Sequence, residues 1–200
     1  MTTSEQTASK GGRPRSERAR SAILRSAADL LLERGLDSVS MDAVAERAGV
    51  SKATIYRWWP TKEALALDAL YAEWAEASIE SPETGSLRGD LLALLLPWVH
   101  QLAKRPYARI MGAFITRARS DPGFAAAYVE RLMVPRREVA RAVLERARQR
   151  GELDPTVEID VALDLLYGAI YHRLLHGHAP LTDQFVTDVV QTVLAGVAPR

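Results

Sequence analysis

The sequence predicts an all-α fold: an N-terminal three-helix unit of helix-turn-helix type, then a larger helical body. Three observations lead there. Apolar residues recur at three- and four-residue spacing in 16–34, 63–79, 87–104, 107–119, 136–150, 157–176 and 182–196, the period of helices with one buried face. Between those runs fall Gly35, Gly49, Pro60, Pro82 with Gly85, Pro122, Pro135, Gly151 with Pro155, and Gly177 with Pro180, where helices are expected to stop. No stretch combines β-branched alternation with hairpin turn residues, so nothing argues for strands.

A chain of 200 residues is long enough to bury a real core. With no cysteine, disulfides, thiolate metal sites and cysteine nucleophiles are excluded. The longest apolar run, LLALLLPWV from Leu91, is far shorter than the roughly 20 residues of a membrane span. The polar start MTTSEQTASKGG carries no apolar signal core, so a cytoplasmic protein without a membrane partner is expected. Residues 1–62 hold 11 Lys/Arg against 7 Asp/Glu, and residues 63–200 hold 15 against 18. That split points the N-terminal part toward a polyanion.

The pattern divides the chain into a flexible basic arm (1–15), a DNA-binding unit (16–62) and a helical effector-binding and dimerisation body (63–200). In the arm, KGGRPRSERAR holds five cations and one acid. Gly11 and Gly12 are expected to keep it mobile, and Arg13-Pro14-Arg15 reads as an extended element. The GRPR core resembles an AT-hook, whose arginines enter the narrow minor groove of A·T-rich DNA. Two readings stay open there: minor-groove readout by Arg13 and Arg15, or general attraction to phosphate.

The second segment, MDAVAERAGVSKATIYRWW, carries the chemistry. Val44 and Ala48 share one helix face; Ile55, Trp58 and Trp59 share another. Gly49 sits between them, where a left-handed residue ends a helix and lets Val50 turn inward. Ala45 is small where two steeply crossed helices meet. Ser51 lies where the second helix needs an N-cap. With Ile55 and Trp58 inward, Lys52, Ala53, Tyr56 and Arg57 face outward, a set suited to base edges and phosphates. Ser40 and Ser51 are open to two jobs, capping a helix or holding a phosphate. Thr61, Lys62 and Glu63 mark the next helix start.

Residues 16–65 resemble the DNA-binding domain of the tetracycline-repressor (TetR) family of bacterial regulators. The likeness is carried by Ile23, Ala27, Gly35, Ser40, Met41, Ala45, Ala48 to Ser51, Thr54 to Tyr56, Trp59, Lys62, Glu63 and Leu65. It extends to about Leu70, beyond which only the helical layout is alike. The family has tyrosine or phenylalanine near Trp58 and phenylalanine near Trp59, so the two tryptophans need more room. The resemblance implies a homodimer that sets two recognition helices in successive major grooves of a palindrome-like operator in double-stranded DNA. It further implies phosphate contacts from Ser40, Thr54, Tyr56 and Lys62, with Lys52, Ala53 and Arg57 nearest the bases. Trp58 is either a backbone contact through its indole N–H or purely structural. Some relatives carry arginine near Asp42; the acid here reads instead as stabilising a helix N-terminus.

Residues 80–200 hold no catalytic constellation: the acids are dispersed, and neither a glycine-rich phosphate loop nor a nucleophile elbow is present. No enzyme activity and no cofactor is expected. His172 and His176 stand four apart with His178 just beyond, a pattern open to a zinc site or to surface histidines. Trp74, Trp98, His100, Met111, Phe114 and Tyr128 are candidates to line an effector pocket, with Arg117 as an anion partner, and Pro97 is expected to kink its helix. In the last two helices, Val161, Leu165, Gly168, Ala169 and Leu175, and Phe185, Val189 and Val193, form apolar and small-residue seams. In the family the final two helices make a four-helix dimer interface; periodicity alone leaves an intramolecular core equally open. The expected function is a sequence-specific regulator, a repressor whose operator affinity falls when a small molecule binds. An effector-independent architectural DNA binder, an activator and, remotely, a histidine-metal enzyme are the alternatives.

Overall fold

The computed structural model describes residues 12–75, 81–104 and 106–199. These form ten α-helices and no strand: α1 (Gly12–Arg34), α2 (Met41–Ala48), α3 (Lys52–Tyr56), α4 (Lys62–Ala75), α5 (Leu87–Lys104), α6 (Tyr107–Ser120), α7 (Pro122–Tyr128), α8 (Val134–Gln149), α9 (Ile159–His176) and α10 (Asp183–Val197). They fold as two compact units, Met1–Leu70 and Tyr71–Arg200, so the division falls inside α4.

In the first unit α2 packs on both α1 and α3. Ile23, Ala27, Leu31, Val39, Val44 and Ile55 are fully buried, and Trp59 nearly so. Burial of a side chain such as Ile55 contributes about 1.5–3 kcal/mol. One expectation needs correcting: the backbone at Arg13, Pro14 and Arg15 is helical, not extended, because α1 starts at Gly12. Proline fits the first helical turn, where its missing N–H has no partner to lose. The rest of the predicted arm, residues 1–11, and the side chains of Arg13 and Arg15 lie outside the described residues.

In the second unit α10 packs on α5 and α9, α8 on α5 and α9, and α6 on α7 and α9. The expected break at Pro122 is present, since α6 ends at Ser120 and Asp121 is extended, whereas Pro135 is not a break. Pro122 opens α7, with Asp121 capping it by accepting the Phe124 N–H at 3.0 Å. Pro135 stands in the first turn of α8, and a π-helical turn at Val129–Met133 joins α7 to it. In both places proline occupies an N-terminal position that needs no donor. Pro97 lies within α5. Asp90, fully buried, fastens the start of α5: it accepts from Thr84 N–H at 2.5 Å, Thr84 hydroxyl at 2.8 Å and Arg150 at 3.2 Å. Burial pushes the Asp90 carboxyl up, but these bonds outweigh it and hold it below the usual range. Glu152 accepts both the Leu87 N–H at 2.6 Å and Arg150, closing the network between α5 and the end of α8.

Candidate nucleic-acid interface and effector cavity

Local chemistry positions α3. Ser40 has extended backbone and accepts the Ala43 N–H at 3.1 Å, starting α2. Gly49 ends it in the left-handed conformation (φ 65°), and the Val50 N–H returns to the Ala45 carbonyl at 3.0 Å. Ser51 then caps α3, accepting from Thr54 N–H at 3.3 Å while its hydroxyl meets that of Thr54 at 3.0 Å. Ile55 anchors the helix from beneath. Trp59 is locked by burial and by its indole N–H, which donates to Asp68 at 2.7 Å.

That scaffold leaves Lys52, Ala53, Tyr56 and Arg57 exposed together, with Thr54, Trp58 and Lys62 half-buried beside them. Tyr56 keeps 53% of its surface in solvent, unusual for an aromatic residue with no apolar partner to cover it. The Arg57 guanidinium lies 4.7 Å over the Trp58 ring, and Trp58 packs edge-on to Trp59 at 5.8 Å. Lys52 reaches the Asp42 carboxylate at 2.8 Å; that hydrogen bond and the carboxylate charge raise the ammonium pKa. Asp42, in the first turn of α2, thus also holds Lys52, which the family resemblance implies lies nearest the bases, a pairing that sequence spacing did not suggest.

In the C-terminal unit the seven predicted pocket residues do not converge. Met111, Phe114 and Tyr128 are core, Phe114 packing edge-on to Tyr128 at 6.3 Å and to Phe124 at 5.6 Å. Arg117 as an anion partner is corrected: it is exposed and holds Asp121, four residues on, at 2.9 Å. His100 also faces solvent and meets Asp183 at 2.5 Å. Trp74 and Trp98 do come together, around a residue the sequence reading missed. Arg136 is 93% buried, its guanidinium 5.3 Å from the Trp74 ring and 4.5 Å from the Trp98 ring. The signal was present, since Arg136 precedes Ala140, Val143, Leu144 and Ala147 in helical register on the buried face of α8. Treating Pro135 as a break placed Arg136 at an end and hid it.

Beside Arg136 lies a cavity of about 290 Å³ between the start of α8 and α9, walled by Leu132, Met133, Tyr167, Tyr171 and the Arg137–Asp164 ion pair and bordered by Gly168. Burial pushes the Tyr167 phenol up to about 12 although the Arg136 charge opposes it, and raises Tyr171 also. A second hollow, about 810 Å³, is a surface groove between α9 and α10. It gathers Val161, Leu165, Ala169, Phe185, Val189 and Val193, six of the eight predicted dimer residues; Val161 and Leu165 are 57% and 56% exposed. Gly168 opens on the smaller cavity instead, and Leu175 lies outside the groove. The rings of His172 and His176 are 4.6 Å apart and those of His172 and His178 5.1 Å. Among the described residues no group of three such side chains is arranged to hold a metal ion, and no helix is long and apolar enough to cross a membrane.

A capped, tightly turned helix pair with an exposed cationic face defines a helix-turn-helix DNA-binding protein. Comparison with known proteins gives its kind. Residues 23–69 match the model of the bacterial regulatory proteins of the tetR family, and residues 81–193 match a tetracyclin repressor-like C-terminal domain. The chain is 40% identical over 189 residues to the uncharacterized HTH-type transcriptional regulator YdeS of Bacillus subtilis, covering 94% of each. It is 34% identical over 180 residues to the DNA-binding transcriptional repressor TetR of Mycobacteroides abscessus, covering 90% of this chain and 94% of that one. The crystal structure of the TetR family transcription regulator SCO0332 matches with a TM-score of 0.78 and 39% identity, over 91% of this chain and all of the other. This chain belongs to the TetR family and is a transcriptional regulator.

Proposed function

We propose that the chain acts as a homodimeric repressor that leaves its operator when a small molecule occupies the C-terminal unit. The observation that carries this reading is the presence, in one chain, of the exposed α3 face and of an apolar-walled cavity with an open mouth. The naming of the Mycobacteroides abscessus relative as a repressor supports the sign of regulation.

In this reading Lys52, Ala53 and Arg57 meet base edges, and Ser40, Ser51, Thr54, Tyr56, Trp58 and Lys62 fix the register on phosphate. Arg13 and Arg15 add attraction to the backbone. The groove between α9 and α10 receives the same helices of a second copy, which buries Val161 and Leu165 by twofold symmetry. Two recognition helices must then stand about 34–36 Å apart to enter successive major grooves. α4, running from Lys62 to Ala75, is the covalent route by which a ligand alters that separation. A coupling of about 1–3 kcal/mol would change operator affinity roughly 5- to 150-fold.

The test is an operator-binding titration in the presence of a panel of small molecules. The reading expects at least one compound to lower DNA affinity at least about fivefold. Compounds that bind tightly and leave DNA affinity untouched would refute the release mechanism.

A further inference from the structure

Two charges are buried among the described residues of the second unit, Asp90 and Arg136, and only Asp90 is paired. Asp90 has Thr84 and Arg150; Arg136 has no carboxylate among the described residues. Its neighbour Arg137 is committed to Asp160 at 2.9 Å and Asp164 at 2.6 Å. Tyr167 donates its phenol O–H to the Arg136 backbone carbonyl at 3.2 Å, a neutral contact that brings no negative charge to the guanidinium. Among the described residues Arg136 Nε is sealed without a hydrogen-bond partner, and so are the indole N–H groups of Trp74 and Trp98 around it. The cluster therefore concentrates donors and a positive charge where acceptors are missing. Buried donors without partners are rare and each calls for a cause. The aromatic faces of Trp74 and Trp98 offset part of the cost of the buried cation, but they accept none of its N–H bonds. Only Nε is sealed; the side chain otherwise lines the 290 Å³ cavity.

We propose that Arg136 is the anion-binding residue of this cavity and that the ligand is an aromatic monocarboxylic acid, bound as its carboxylate. The proposal rests on the reading that the C-terminal unit takes a small molecule. One unpaired guanidinium balances one negative charge, so a monocarboxylate leaves the site neutral, whereas a phosphate dianion leaves a buried charge uncompensated. The planar guanidinium fork matches a carboxylate with two parallel hydrogen bonds. The remaining wall also carries Arg137 and Asp164, which pair with each other at 2.6 Å and so add no net charge; its other side chains, Leu132, Met133, Tyr167 and Tyr171, suit a flat apolar ring. At about 30 Å³ per water, the volume holds roughly ten water-sized atoms, room for one ring with a short acid arm or two fused rings. The π-helical turn at Val129–Met133 supplies Leu132 and Met133 to the cavity wall, and such irregular turns are frequent at functional sites.

The test uses the full-length protein and four matched pairs: benzoate, phenylacetate, cinnamate and 2-naphthoate, each beside its neutral amide. Thermal stabilisation and titration calorimetry read binding. At least one acid should bind at sub-millimolar concentration, with its amide at least about tenfold weaker, as expected for losing a hydrogen bond to a charged group. Arg136→Met should abolish the preference for acid over amide. Its unliganded Tm should equal or exceed the parent's, since a buried unpaired charge is removed. Arg136→Lys should keep a reduced preference. Acids and amides binding alike, no acid binding at millimolar concentration, or an undiminished preference in Arg136→Met would each overturn the assignment. A parent without acid preference and an Arg136→Met variant with a lowered Tm would make the residue structural. If an acid binds through Arg136 yet leaves operator affinity unchanged, the ligand class stands and the release reading falls. If some other compound releases the operator independently of Arg136, the reverse holds.

Discussion

Replacing Trp59 by phenylalanine, the residue type usual for the family at this place, should destabilise the DNA-binding unit. The indole is almost wholly buried and its N–H donates to Asp68 at 2.7 Å. A hydrogen bond to a charged acceptor contributes about 1.5–3 kcal/mol, and the lower end applies because Asp68 is half-exposed and water replaces the indole. The smaller ring also removes two buried carbons at about 0.8 kcal/mol each. The two contributions give about 3 kcal/mol for Trp59→Phe. Asp68→Ala removes the bond while leaving the indole in place and should cost at least about 1.5 kcal/mol. Urea unfolding followed by circular dichroism measures both, provided the slope with denaturant stays constant. In the double-mutant cycle the coupling should be about 1–1.5 kcal/mol. Strictly additive variants, or a Trp59→Phe protein as stable as the parent, would refute the claim that this bond locks α3.

Lys62→Ala should weaken binding to all DNA sequences alike and reduce the salt slope by about one phosphate's worth, read from binding at several salt concentrations. Arg57→Ala should relax preference at one base position, read by competition between operator variants; equal behaviour of the two variants would undo the division into positioning and reading residues. Val161→Asp with Leu165→Asp should convert a dimer to monomer in analytical ultracentrifugation, because two charges would enter the apolar groove. The depressed carboxyls Asp90, Glu152, Asp121 and Asp160 make stability pH-dependent. Their contribution is present above the unfolded-state values near pH 4 and is lost as pH falls through the lower folded-state values. Asp90→Asn should therefore flatten the acid limb of the stability curve, measured by thermal unfolding between about pH 2 and 6.

Much of the exposed face of α3 could be read from the sequence, because its parts are local. Ser51, Gly49 and Ile55 act within a few residues of one another, so capping, turn chemistry and helical spacing suffice to orient Lys52 and Arg57. The groove residues Val161, Leu165, Phe185 and Val189 were also legible, since two helical stripes meet across one short connection. Prolines misled at two places for a single reason: at Pro14 and Pro135 the missing N–H falls in a first turn, where helices tolerate it. The cavity beside Arg136 was hardly legible. Arg136 meets Trp74 and Trp98 only through tertiary packing of α4, α5 and α8, and a cation on a buried face looks in sequence like one more surface arginine.

The central claim, a dimeric sequence-specific regulator, is tested most directly by selecting bound fragments from a random DNA pool at near-physiological salt. The account predicts an enriched inverted repeat whose half-sites are about 10–10.5 base pairs apart, or a multiple of that. No enriched motif, with binding that collapses as salt rises, would contradict it and favour an architectural DNA binder.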